Sequence, residues 1–171
     1  MKTRKVIVLP YDPNWKTDFE AIQTEIAAAM GDLALAIEHV GSTSVPGMSG
    51  KPCIDIDVVI SDRDALPAAI DRLAQIGYEH EGDLGIPDRH AFRYDGKTHL
   101  QKHHLYVCPQ DSAELHRHLT FRDHLRTHPD DAARYSAIKA EAAHLYPDDI
   151  DSYIRHKSPC IEDIYRKCGL M

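Results

Sequence analysis

The sequence has no apolar run approaching the about 20 residues that a membrane-spanning helix requires. The short run Val6–Leu9 stops at Pro10 and meets Asp12, too short and wrongly flanked for a signal-peptide core. Its four cysteines, Cys53, Cys108, Cys160 and Cys168, form no C-x-x-C pair. That spacing argues against a zinc knuckle or disulfide framework and predicts reduced thiols in a cytoplasmic protein. A basic excess is also missing: 20 Lys and Arg against 27 Asp and Glu leave a formal charge of -7 with His neutral. No general surface for long nucleic acid is therefore expected, although a small phosphorylated substrate or nucleotide could still meet a local positive cluster. The P-loop spacing G-x-x-x-x-G-K-[ST] is absent, because Gly50-Lys51 is followed by Pro52, and no H-E-x-x-H occurs. Neither an internal repeat nor a low-complexity stretch is found.

What is present suits one packed domain over 1–171, since 171 residues with 43% hydrophobic and 27% charged residues can build a core unaided. Val6–Leu9 reads as a short strand ended by PYDPNW. Phe19, Ile22, Ile26 and Met30 recur at helical spacing and predict a helix over roughly 16–30. Strands are expected at 34–40, at 54–60, where β-branched residues dominate, and around 78–81, 91–94 and 100–107. Ser61 with Asp64, and Asp111 with Glu114, are candidate capping boxes. The first opens a helix through Leu66, Ala69, Ile70 and Leu73 to Gly77. The second opens a helical part over 111–171, divided by Pro129 and Pro147 into helices near 112–127, 130–145 and 149–168. The expected class is α/β (α+β): a mixed sheet flanked by helices, with a helical C-terminal segment.

Chemistry concentrates in residues 41–60. Asp55 and Asp57 stand one residue apart in a predicted strand, so both carboxylates project from one face. Two like charges held that close need a cation, a proton or solvent, and Mg²⁺ binds through carboxylates together with substrate phosphates. A solvated strand face satisfies the same pattern. Gly41, Ser42, Thr43 and Ser44 offer a flexible backbone and three hydroxyls suited to phosphate oxygens, or simply a surface loop. Lys51 precedes the strand and places an ammonium near any bound phosphate. His39 can orient the loop or meet the substrate. His104 and Tyr106 share a strand face, which Lys102 joins if the strand is regular to that point. Arg122 with Arg126, and Tyr153 with Lys157, are four apart on helices and form candidate phosphate contacts; pairing with local acids such as Asp123 would equally occupy the arginines. His is abundant at 12 residues, eight of them between His90 and His128. His116, His118, His124 and His128 follow helical spacing and are assigned to the surface.

The pair Gly41-Ser42 followed by D-I-D-V at 55–58 resembles the signature of polymerase beta-type nucleotidyltransferases. More closely, IEHVGSTSVPGMSGKPCIDIDV, VIVLPYDPNWKTDFE and LTFRDHLRTHPDDAARYSAIK resemble the GrpB family of small predicted nucleotidyltransferases, over almost the whole chain. The resemblance implies a minimal nucleotidyltransferase fold, Ser42 beside a phosphate, and Asp55 and Asp57 as ligands of a divalent metal, Mg²⁺ or Mn²⁺. A third acidic residue is usual on a later strand, where this chain has His104. That substitution leaves three openings: Mn²⁺ or Zn²⁺ with His104 as a ligand, His104 as a general base, or changed or lost activity. The implied activity is transfer of a nucleoside monophosphate from an NTP to an unidentified acceptor. A metal-dependent phosphohydrolase and an inactive nucleotide-binding or protein-interaction module are the alternatives.

Overall fold

A computed structural model describes residues 5–171. Helix α1 (Asn14–Met30) leads to strand β1 (Ala36–Val40), then β2 (Ile54–Ile60) and α2 (Leu66–Ala74). Strands β3 (Glu79–Gly82), β4 (His90–Arg93) and β5 (His103–Pro109) precede helices α3 (Ala113–Thr127), α4 (Pro129–Leu145) and α5 (Ile150–Lys167). The sheet has five strands in the order β1-β2-β5-β4-β3. It is mixed: β2 and β5 run parallel, while β1, β4 and β3 join antiparallel. This α+β arrangement agrees with the class expected from the sequence.

Alternation along β2 decides what each sheet face does. Ile54, Ile56, Val58 and Ile60 are wholly buried against Trp15, Ile22, Ile26 and Met30 of α1 and Ala69 and Leu73 of α2. The opposite face carries Asp55, Asp57 and Val59, and Val59 packs with Cys108 and Leu115 of α3. A separate apolar cluster joins Val45 and Met48 of the β1–β2 connection to Leu125 of α3, Tyr135 of α4 and Cys160 and Ile164 of α5. The C-terminal helices thereby cover the connection that carries the Gly-Ser turn. No helix among the described residues is long and apolar enough to cross a membrane.

Three local expectations need correction. Val6–Leu9 adds no strand to the sheet: Leu9 makes one antiparallel bridge with Gly50, and Pro10, lacking an N–H, cannot continue it. Asp62, not Ser61, caps the turn Arg63–Ala65 before α2, its carboxylate accepting from Ala65 N at 3.2 Å. Ser112, not Asp111, caps α3, its hydroxyl accepting from Leu115 N at 3.2 Å. In both, the side chain with extended backbone immediately before the first turn is the one that reaches the free N–H.

Candidate functional site

The site forms where the end of β1, the start of β2 and the C-terminal helices meet. Gly41 has φ +76°, and a Cβ placed on it would stand 2.4 Å from Asp55 Oδ2, so only glycine brings the turn down onto that carboxylate. Residues Ser42–Ser44 then make one 3-10 turn. Gly50, at the far end of the connection, returns so close that a Cβ would meet Ser42 Cβ at 2.7 Å.

The turn is braced from behind. His39 Nε2 and Thr43 Oγ1 are 2.8 Å apart, and the His39 ring stacks on Phe19 at 4.6 Å. Burial, with Arg126 nearby, lowers the His39 pKa to about 4, so its ring is neutral. Arg122 donates to Glu38 at 2.6 Å and to the His39 carbonyl at 3.1 Å, while Arg126 donates to the Ser44 carbonyl at 3.0 Å. Ser44 itself donates to the Gly41 carbonyl. His39, Ser44 and Arg126 lie on a second concavity behind the turn, and Arg122 is committed to β1. These four shape the turn rather than line the cleft in front of it.

That cleft, about 290 Å³, gathers Gly41, Ser42, Thr43, Lys51, Asp55, His104, Tyr153 and Lys157 from the sequence-derived candidates. It also contains Lys139, which is not among those candidates. Lys139 is only 2% exposed, yet it donates to Ser42 Oγ at 2.6 Å and to the Ser49 carbonyl. Burial, with Lys157 nearby, lowers its pKa to about 7; burial and Lys51 lower that of Lys157 to about 8. The signal for Lys139 was present in α4, where Ala132, Tyr135, Lys139 and Ala142 recur at helical spacing on the buried face. Two tyrosines carry the ammonium groups: Lys157 Nζ lies 4.8 Å from the Tyr153 ring centre and Lys139 Nζ 4.4 Å from that of Tyr135.

The two aspartates have different surroundings. Asp55 is partly open to the cleft, and its Oδ1 lies 3.1 Å from His104 Nδ1, because Asp55 and His104 are register partners across β2 and β5. Hydrogen bonds that the His104 ring donates to Asp55 and Cys53 raise its pKa to about 10, so the ring carries a proton. Asp57 is 0% exposed and lies beneath α3, where Oδ2 accepts from His118 Nδ1 at 2.6 Å. Although burial opposes it, the hydrogen bond to Asp57, with Glu114 also near, raises the His118 pKa. His118 is therefore not the surface residue expected. His124 is not either: its side chain is 8% exposed and bonded to Asp131 at 2.7 Å. Helical spacing shows which residues share a face but not that α3 lays His118 over a sheet carboxylate.

Two observations bear on a divalent cation. Asp57 Oδ1 is buried without a hydrogen-bond partner among the described residues, and Asp55 projects from the same strand face. Both are oxygen donors of the kind a hard cation takes, Asp55 from the cleft and Asp57 through Oδ1 from beneath α3, outside the cleft lining.

A family model described as GrpB protein matches residues 5–167. The chain belongs to the GrpB family. Among relatives, it is 33% identical over 159 residues to UPF0157 protein YqkA of Bacillus subtilis, covering 93% of this chain and 46% of that protein. It is 30% identical over 185 residues to a dephospho-CoA kinase of Mycolicibacterium paratuberculosis, covering 95% of this chain and 46% of the relative. The chain thus spans about half the length of each. The crystal structure of conserved protein GrpB from Enterococcus faecalis matches with a TM-score of 0.82 and 32% identity, over 95% of this chain and 96% of that one. The Cid1 poly(U) polymerase bound to MgATP matches with a TM-score of 0.56 and 12% identity, over 80% of this chain and 44% of the polymerase. At that identity the likeness establishes the fold: the GrpB chain has a nucleotidyltransferase-like fold.

Proposed function

We propose that this chain is a metal-dependent nucleotidyltransferase that moves a nucleoside monophosphate from an NTP to an acceptor. The observation that carries the reading is the bond from buried Lys139 to Ser42 Oγ, which braces that hydroxyl in a cleft also lined by Asp55, Lys51 and Lys157. An acceptor hydroxyl oxygen would attack the α-phosphorus, the bond from that phosphorus to the oxygen bridging to the β-phosphate would break, pyrophosphate would leave, and the acceptor's proton would pass to solvent. Ser42 would donate to a phosphate oxygen while Lys139 holds its position. Lys51 and Lys157 would offset the negative charge of the phosphates. Asp55 and Asp57 would hold a divalent cation, Mg²⁺ or Mn²⁺, which would supply further charge neutralisation. MgATP on Cid1, a distant relative in fold, is compatible with this reading.

A phosphohydrolase with His104 as base is less well supported, because the ion pair with Asp55 keeps a proton on that ring up to about pH 10. The activity in the name of the mycobacterial relative is not carried over: the match spans under half of that protein, and this sequence has no P-loop. The deciding experiment is thermal stabilisation by ATP, GTP, CTP and UTP with Mg²⁺, Mn²⁺ or no metal. Ligand binding to the folded state raises the melting temperature with ligand concentration. A metal-dependent shift for one nucleotide that disappears in Asp57→Asn, with the fold intact, is the expected result. No shift at millimolar concentration of any nucleotide rejects the proposal.

A further inference from the structure

Cys53, Asp55 and His104 each offer a donor atom, and the three atoms lie within 4.8 Å of one another. The sheet brings them together. Cys53 immediately precedes β2 on the Asp55 side of the alternation, and His104 is the register partner of Asp55 on β5. The cluster also stands where two cavities share a wall. The 290 Å³ cleft beside Ser42 and a second cavity of about 500 Å³ are both lined by Lys51, Cys53 and His104. Cys53 is 9% exposed, and the surface it retains borders both cavities.

The donor types discriminate between metals. Mg²⁺ takes oxygen ligands and keeps its waters, so a thiolate and an imidazole do not suit it. Zn²⁺ and Co²⁺ accept sulfur, nitrogen and carboxylate oxygen together, and three protein ligands leave one tetrahedral position for water or substrate. Lys51 on the shared wall and Lys157 in the cleft, which feels the charge of Asp55, would oppose a cation there. The Lys51 ammonium lies over the Tyr153 ring, at 5.9 Å from the ring centre, on a flexible and exposed side chain.

We propose that the chain binds a thiophilic divalent cation of the Zn²⁺ or Co²⁺ class through Cys53, Asp55 and His104, with the fourth position facing the cleft, the cation displacing a proton of the His104 ring and that of the Cys53 thiol to solvent. Binding itself follows from this donor set alone; a part in nucleotidyl transfer rests on the function proposed above, because Asp55 belongs to both arrangements.

The test is titration of the whole chain with Co²⁺ in the absence of nucleotide. The native protein is expected to develop near-ultraviolet thiolate-to-cobalt charge-transfer absorption, and Zn²⁺ to abolish it by displacement. Cys53→Ser should lose the band, whereas Cys168→Ser, altered at a cysteine remote from the cluster, should keep it. Should Cys53→Ser fail to fold, the native protein still decides the matter: Zn²⁺ should slow alkylation of Cys53 by iodoacetamide, and chelation should restore the rate. Absence of both the band and the protection, or a band that survives in folded Cys53→Ser, overturns the assignment. A failure of nucleotides to stabilise the protein would leave the cobalt result untouched, so the two proposals fail separately.

Discussion

Lys139 has the most to reveal at the scale of single residues, because an ammonium buried to 2% exposure has to be compensated by what surrounds it. Its acceptors are the Ser42 hydroxyl and the Ser49 carbonyl, both on the turn-bearing connection. Lys139→Met keeps much of the length and removes the charge. A hydrogen bond from a charged donor contributes about 1.5–3 kcal/mol, so NTP affinity should fall about 10- to 100-fold, measured by calorimetric titration, while the chain remains folded by circular dichroism. Burial also prescribes a pH dependence. Lys139 and Lys157 lose their protons near pH 7 and 8 in the free protein, so the site is most positive below pH 7 and loses charge as pH rises through that range. Triphosphate affinity should weaken from pH 7 to pH 9. A bound phosphate favours the charged lysines, so complex formation in that range should take up protons, seen as a dependence of the binding enthalpy on buffer ionisation. Lys139→Met should flatten the dependence.

The decisive elements are the C-terminal helices, which fix the turn that carries Gly41 and Ser42. Ile164 of α5 is wholly buried with Val45 and Met48 of the β1–β2 connection, Leu125 of α3 and Tyr135 of α4. Ile164→Ala would leave a cavity in that cluster, at a cost of about 2–5 kcal/mol to stability, read as a lower urea midpoint with unchanged slope. Since Ile164 does not line the cleft, any accompanying loss of nucleotide affinity would report loosening of residues 42–50, which faster amide exchange in that segment would locate. Arg122 and Arg126 belong to the same level. As a pair on one helix face they read as phosphate contacts, but α3 directs them to Glu38 and to the carbonyls of His39 and Ser44.

At the scale of the whole molecule, the charge of -7 and the gathering of Lys51, Lys139 and Lys157 in one cleft are the grounds for expecting a nucleotide rather than a polynucleotide. Long RNA is bound largely through salt-dependent neutralisation of many phosphates. No shift of a long single-stranded RNA is expected at physiological salt and micromolar protein, measured by electrophoretic mobility; retention of that RNA would mean that a surface outside the cleft contributes. The fold, shared with a poly(U) polymerase at 12% identity, does not by itself choose between these substrates, since a fold outlasts changes in the chemistry placed on it.

Local pattern determined much of the architecture. β-branched alternation located β2, helical spacing located α1 and α2, and prolines separated α3, α4 and α5, because periodicity and chain breaking act over a few residues. The Gly-Ser turn and the Asp55–Asp57 pair were legible for the same reason. Only the tertiary structure decided that Asp57 is sealed beneath His118 while Asp55 opens to the cleft with Cys53 and His104, and that Lys139 reaches Ser42 across 97 residues of sequence. Both outcomes depend on which helix covers which part of one sheet face, and packing between distant elements leaves no period in the chain from which to read it.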